Sequence, residues 1–411
     1  MPRRPPPGDE VNLELFTAAP LPVAVLSDAE RLACLRLIRS ENVGPVTFRE
    51  MINHYGGAER ALEALQGLAR RAGHGRTIKV CPRDAAEAEL AAADAAGALA
   101  VFTIEPGYPA LLAEVDVPPP LLYIKGDPAL LSRPVLAIVG SRQCSAAGIK
   151  LAATLTEDLS AAGFVIASGL ARGIDAVAHR GALHRGTVAV VAGGIDVIYP
   201  PENAALYAEI ADKGCVITEM PPGFKPRAQD FPRRNRIISG VSLGVVIVEA
   251  AKRSGTLVTA RFAGEQGRDV FAVPGHPLDP RAEGTNRLIQ DGAKMVLSAA
   301  DVLSELGPAA FHLSGAGPSG AGEMPAPTLT RSHDEGQTAA RVAPERAAAR
   351  TGEDDAGRVL EALGPAPVDI DSVTRATGLP IRSVQIALME LDLLGRIERH
   401  GAQLVSLKPA G

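Results

Sequence analysis

From Asp28 to about Ala72 the apolar positions recur at helical spacing. They are Leu32, Leu35, Leu37 and Ile38, then Phe48, Met51 and Ile52, then Leu62 and Leu65, with breaks at Asn42-Val43-Gly44-Pro45 and Gly56-Gly57. Recurrence at three and four residues gives each helix one apolar stripe, so a small helical domain is expected over 28–84. Farther along, the period changes. Short continuous apolar runs occur at Val135–Val139, Phe164–Ala167, Val188–Ala192, Val216–Thr218, Leu243–Glu249, Asp269–Val273 and Lys294–Val296, alternating with helix-like segments such as Ser145–Ala162 and Ile174–Arg185. Such runs suit strands buried on both faces. Their alternation with helices predicts an α/β core over 133–306, a doubly wound, mostly parallel sheet with right-handed crossovers. Residues 85–132 read as a connecting segment.

The ends of the chain differ in kind. Residues 1–27 are proline-rich and without periodicity, which predicts a mobile arm, and 307–354 are Ala, Gly, Pro, Ser and charge, which predicts a disordered linker. After it, three amphipathic runs (Val359 to Leu363, Ile370 to Leu379, Ile381 to Leu394) precede an alternating stretch around Gly401. Three helices and a hairpin predict a winged helix over 355–411. Its candidate recognition helix, Pro380–Leu394, has Arg382 against Glu390 and Asp392. A groove reader needs more positive charge, so this module is expected to contact protein. The Val-Gly-Pro turn of the helical domain resembles a helix-hairpin-helix that offers amides to DNA phosphates, and a plain packing turn explains it equally well.

Bulk properties narrow the possibilities. At 411 residues with a formal net charge of -5, the chain holds several domains and does not coat nucleic acid by global charge. Cys34, Cys81, Cys144 and Cys215 form no C-x-x-C pair, and His184, His276 and His400 are isolated, so neither a zinc site nor a disulfide framework is indicated. No signal peptide or membrane span is visible, and a cytoplasmic location is expected.

Candidate chemistry lies on three glycine-bearing loops, each between a strand-like and a helix-like run: Gly140-Ser141-Arg142, Ser168-Gly169-Leu170-Ala171-Arg172-Gly173 and Ser254-Gly255-Thr256. In a parallel sheet such turns emerge at one edge, where helix N-termini present amides to anions and arginine adds bidentate bonds. Tight turns alone also call for glycine. Neither G-x-G-x-x-G nor G-x-x-x-x-G-K-[ST] is present, so a nicotinamide dinucleotide or an NTP is not the obvious occupant, and no cofactor is assigned.

Against the acidic average, Pro221 to Arg236 carries five bases and one acid, with Phe224 and Phe231 interleaved. That pattern suits phosphates held by cations while nucleobases stack on rings. Within it, Arg227 and Arg234 are read as ligand contacts and Phe231 as a stacking platform, while Asn235 and Arg236 open the next helix with a structural share. Asp175 and His179, four apart, share a helix face. They form either an acid-base pair or, as favoured, a structural pair in which Asp175 braces the loop through Arg172 and His179 packs beneath. Glu249 ends the fifth run as a catalytic or metal-binding carboxylate, or as the buried partner of Arg142 or Arg172.

The pieces IVGSR, SGLARGIDAVAH, AGGIDVIYPPEN, FPRRNRIISG, VVIVEAAKRSGTLVTA, GRDVFAVPG and GTNRLIQDGA, in this order across Val135 to Met295, resemble the DprA/Smf family of bacterial DNA-processing proteins. The resemblance implies a Rossmann-like core that binds single-stranded DNA, forms a homodimer and helps load a RecA-type recombinase during uptake of transforming DNA. By position it assigns DNA contacts to Gly140, Ser141 and Arg142, to the loop Ser168, Gly169, Ala171, Arg172 and Gly173, and to Arg227, Phe231, Arg234 and Asn235; Gly255 and Thr256 complete the set. The chain departs from the family at Ala192-Gly193-Gly194, where relatives often have G-S-G, and at Glu202, where some place a base. The main competing class is a nucleoside monophosphate hydrolase, but the acid expected just beyond its glycine loop is absent from Leu257-Val258-Thr259-Ala260. A sequence-specific regulator acting through the winged helix is weakened by that helix's charge.

Overall fold

The computed structural model describes residues 26–71, 78–313 and 352–408. Residues 1–25 of the predicted arm, and most of the predicted linker, lie outside the described residues. The N-terminal helices are α1 (Asp28–Ile38), α2 (Pro45–Tyr55), α3 (Ala58–Arg71) and α4 (Arg83–Ala95). Ser27 caps α1 through its hydroxyl, and Pro45 at the first turn of α2 fixes φ where no intrahelical N–H bond is lost. The apolar stripe read from the sequence is the core: Leu35, Leu37, Phe48, Met51, Ile52 and Leu65 are all buried together.

The central domain is built on β1 (Leu99–Phe102), α5 (Ala110–Ala113), β2 (Leu121–Gly126), β3 (Val135–Gly140), α6 (Ala146–Ala161), β4 (Val165–Ser168), α7 (Ile174–Ala182) and β5 (Thr187–Val190). It continues through α8 (Ala204–Lys213), β6 (Cys215–Thr218), α9 (Asp230–Gly240), β7 (Gly244–Val248), α10 (Thr256–Glu265), β8 (Asp269–Ala272), α11 (Glu283–Gln290), β9 (Lys294–Met295) and α12 (Ala299–Leu313). One nine-stranded sheet runs β1-β2-β6-β5-β4-β3-β7-β8-β9. Strands β3 to β9 pair in parallel, and every residue of β3, β4, β5, β6 and β7 is buried, as expected for strands covered on both faces.

One sequence expectation needs correction. Residues 85–132, read as a connecting segment, contribute β1 and β2, an antiparallel pair that extends the sheet beyond β6. Tyr123 on β2 is fully buried, its hydroxyl bonded to Glu89 of α4, which also holds Arg39, the C-terminal cap of α1, at 2.7 Å. This network fastens the helical domain to the sheet.

The C-terminal module consists of α13 (Gly352–Ala362), β10 (Val368–Asp369), α14 (Ile370–Thr377), α15 (Ile381–Leu393), β11 (Ile397–His400) and β12 (Leu404–Leu407). Its three strands form a small antiparallel sheet in the order β10-β12-β11, and Val359, Val373, Val384, Leu388 and Val405 form its own core. This is a winged helix, as predicted.

Candidate nucleic-acid interface

Strands β4, β5 and β6 depart from β3 on one side, and β7, β8 and β9 lie on the other. Such a reversal opens a crevice beyond the C-terminal strand ends, where doubly wound proteins bind ligands. The loops after β3, β4 and β7 and the segment before α9 all reach it. They wall a cleft of about 880 Å³ that includes Ser141, Arg142, Arg172, Tyr199, Phe231, Arg253 and Gly255.

The loops are forced into place by close backbone approach. A Cβ on Gly140 would lie 2.0 Å from the Val248 carbonyl oxygen, so only glycine lets β3 end so near β7. Gly173 has φ of 75°, and a Cβ there would lie 2.3 Å from the Ser141 carbonyl oxygen. Two non-glycine residues at these strand ends, Leu170 (φ 54°) and Glu249 (φ 57°), are also held in the left-handed region. Strain of this kind persists where surrounding structure fixes a functional loop.

Cations and rings form the cleft's chemistry. The Arg142 guanidinium carbon lies 5.6 Å from the centroid of the Phe231 ring, and Phe231 lies 5.2 Å from Tyr199 with the ring planes inclined at 54°. Phe231 is half-buried and Tyr199 is 45% exposed, so the pair retains surface for a flat apolar ligand. Arg142, Arg172 and Arg253 are exposed. Arg172 lies 3.5 Å from Glu202, both side chains more than half exposed. An exposed pair of this type is worth about 0–1 kcal/mol and yields readily to a phosphate.

Several predicted contacts prove to be framework. Ser168 is fully buried, and its hydroxyl donates to the Ile138 carbonyl at 2.6 Å. The amides of Gly169 and Ala171 donate to Asp175 Oδ2 at 3.2 and 3.4 Å, so they serve the protein's own carboxylate and not a phosphate. Arg234, read as a ligand contact, is 5% exposed. It donates to the Gly169 carbonyl at 2.7 Å, to the Val190 carbonyl and, through Nε, to Asn235 Oδ1 at 3.1 Å. Asn235 in turn donates to the Gly255 carbonyl at 3.2 Å, and Thr256 to the Gly140 carbonyl at 3.1 Å, tying the loops to one another. Burial lowers the Arg234 pKa to about 10, still cationic at neutral pH, with Asp175 opposing the shift. Arg227 is exposed, its amide bonded to Asp230 Oδ2 at 2.7 Å, and its neighbours Pro226 and Ala228 line the cleft.

The carboxylates are equally engaged. Asp175 braces the loop through its amides and the charge of Arg234, not through Arg172 as expected. His179 is fully buried with Nδ1 2.7 Å from Thr187 Oγ1, and burial depresses its pKa to about 3. Glu249 pairs with neither Arg142 nor Arg172. It accepts from the amide of Ser145 at 2.9 Å and from its hydroxyl, holding the N-terminus of α6. Among the described residues no His, Cys, Asp and Glu group has the arrangement of a metal site.

Sequence reasoning leaves Tyr199 and Arg253 out of the site. Tyr199 sits in a Tyr-Pro-Pro turn that carries no periodic signal. Arg253 has a usable one, because Lys252-Arg253 stands directly before the third glycine loop.

A Rossmann-like core with a cation-and-ring cleft at its switch point, joined to a helical hairpin domain and a winged helix, defines a class of proteins suited to polyanions with flat apolar groups. The family model described as DNA recombination-mediator protein A matches residues 100–307. Models for a DprA-like N-terminal HHH domain and a DprA winged helix domain match 28–92 and 343–403. DNA processing protein DprA of Streptococcus pneumoniae is 47% identical over 200 residues, 48% of this chain and 71% of that protein. Protein Smf of Synechocystis is 36% identical over 311 residues, covering 72% and 77%, and Protein Smf of Escherichia coli 38% over 305, covering 74% and 75%. The X-ray structure of DprA from Streptococcus pneumoniae superposes with a TM-score of 0.58 at 34% identity, covering 68% of this chain and 99% of that one. The chain belongs to the DprA/Smf family.

Proposed function

We propose that this chain binds single-stranded DNA in the switch-point cleft and, without catalysing a reaction itself, presents that strand to a RecA-type recombinase. The observation that carries the reading is the Arg142, Phe231 and Tyr199 cluster. Bases in a duplex are stacked on one another and cannot reach a protein ring, whereas unpaired bases stack on aromatics while guanidiniums hold the backbone. The family description as a recombination mediator supports the handover. The nucleotide-hydrolase alternative needs a free carboxylate in the cleft, and both Asp175 and Glu249 are bonded within the protein.

A homodimer through the core belongs to the same reading. The outer edge strand β9 exposes Met295 at 52%, and the adjoining Leu297 is exposed at 63%, an apolar edge of the kind proteins cover. No helix among the described residues is long and apolar enough to cross a membrane, which accords with a cytoplasmic role.

The test is a titration with fluorescent single-stranded and blunt duplex DNA at two salt concentrations, followed by recombinase filament assembly on strands pre-coated with a single-strand binding protein. Preference for single strands and faster filament assembly are expected. Equal affinity for both forms would overturn the stacking reading, and unchanged assembly would overturn the handover alone.

A further inference from the structure

The winged helix is packed in cis against the helical domain, through the surfaces on each that could meet nucleic acid. On the winged helix this is α15, the element at the recognition-helix position, whose Met389 and Leu393 are buried in the core of the helical domain. On the helical domain it is the hairpin turn and the start of α2. Asn42 of the turn donates to the Leu393 carbonyl at 2.9 Å, and the Thr47 hydroxyl in the first turn of α2 donates to Asp392 Oδ2.

Charges hold this contact together with the apolar side chains. Arg399 on β11 donates through Nη2 to Glu50 of α2 at 2.7 Å and through Nε to Asp392 at 3.1 Å, with only 8% of its side chain exposed. Its remaining terminal nitrogen, Nη1, is buried without a partner, so the cation is incompletely satisfied in the docked arrangement. Beside it lies a cavity of about 440 Å³ lined by Gly44, Thr47, Asp392, Arg399 and Lys408. A carboxylate of the winged helix thus sits at the positive end of α2, whose Gly44 cap provides no side-chain bond. A DNA phosphate would seek the same place.

We propose that the two peripheral domains are stored face to face in an autoinhibited arrangement, with Asp392 standing in for a backbone phosphate, and that duplex DNA binds the helical hairpin only when the winged helix leaves. The arrangement is independent of single-strand binding in the central cleft. It also explains why α15 is poor in bases: its face serves the protein's own α2.

Arg399→Gln tests the idea with opposing signs. Removing the arginine leaves the Glu50 and Asp392 carboxylates without their shared cation, which should shift docking toward the open state. Apparent affinity scales with the open fraction, so duplex binding should tighten by roughly 10- to 100-fold. Were the arginine itself a DNA contact, losing a cation would weaken binding instead. The paired variant Thr47→Cys with Asp392→Cys supplies a lock. Once oxidised it should bind blunt fluorescent duplex at least about 10-fold more weakly than when reduced, with single-strand binding unchanged. Folding is checked by thermal melting and domain separation by small-angle scattering, all on the full chain. Unchanged or weaker duplex binding by folded Arg399→Gln would overturn the proposal. So would equal duplex binding by the oxidised and reduced lock. If Arg399→Gln does not fold, the oxidised-against-reduced comparison decides alone.

Discussion

Phe231→Ala separates a stacking platform from a structural plug, because the structure sets different magnitudes for the two. The ring is half-buried and makes two oriented contacts, to Tyr199 at 5.2 Å and to the Arg142 guanidinium at 5.6 Å. An aromatic pair contributes about 0.5–1.5 kcal/mol beyond area burial, and a cation over a ring at an exposed site about 0.5–1 kcal/mol. These two contacts account for about 1–2.5 kcal/mol of the unfolding free energy, to which the half-buried ring area adds its part, whereas truncating a fully buried phenylalanine typically costs about 3–5 kcal/mol. If one base stacks on the ring, the binding loss is about 1–3 kcal/mol, or roughly 5- to 150-fold in Kd. Stacking carries no counterions, so the dependence of log affinity on log salt should be nearly unchanged. Fluorescence anisotropy with single strands of several compositions, at two salt concentrations, measures both, and urea unfolding supplies the stability. Affinity that stays at the wild-type value while the variant is folded would refute the stacking role, as would a loss confined to one base composition.

Arg142→Ala and Arg227→Ala should each weaken single-strand binding and flatten the salt dependence by about 0.7 for each phosphate no longer neutralised, with stability changed by no more than about 1 kcal/mol; salt titrations of both variants check this. Arg234→Met should act on the fold, because it leaves Asp175 buried without its cation: urea unfolding should show a loss of about 3–5 kcal/mol. His179 titrates near 3 in the folded chain and near 6.5 when unfolded, so the unfolded state takes up the proton as pH falls through 6.5. Its contribution is complete above that pH and is lost toward pH 3, at up to about 1.36 kcal/mol per pH unit. Unfolding free energies at pH 7 and about 5 should therefore diverge less in His179→Leu than in the unsubstituted chain.

The parts of the fold that can be read from the sequence are those whose burial leaves a period. The apolar runs of β3 to β7 and the helical stripes of α1 to α3 appear at their observed places because each strand is covered on both faces and each helix on one. The β1-β2 pair also leaves short apolar runs, Leu99–Phe102 and Leu121–Ile124, but not the alternation with long helices that marks the parallel strands. Leu99–Phe102 is four residues long and follows an alanine-rich helix, and Leu99 itself is 56% exposed, so its short apolar run merges with the helix before it. Its pairing with residues about twenty positions away, and theirs with β6, is a tertiary fact with no local signature. The docking of α15 on α2 is of the same kind. Its apolar face announces a partner, but the identity of that partner depends on side chains 345 positions apart, Thr47 and Asp392.

The site is legible by location more than by role, and Arg233 and Arg234 show why. The sequence offers two adjacent arginines in a basic loop, and charge alone cannot say which one faces a ligand. Helix phase can. Both lie on α9, where Asp230, Arg234, Asn235, Ile237 and Ile238 are buried, so Arg234 shares a face with the residues four before and four after it and is carried inward. Arg233 falls outside that face, 54% exposed, and pairs with Glu219 at 3.0 Å. The inward arginine meets carbonyls at the C-terminal ends of β4 and β5 and the charge of the buried Asp175 carboxylate, which together complete its coordination. A cation held in this way shapes the cleft, and in the proposed function the phosphate contacts fall to the exposed arginines that line it, Arg142, Arg172 and Arg253. The isoleucines at 237 and 238 are the available signal. Read at a helical period, they assign Arg234 to the framework from the order of residues alone.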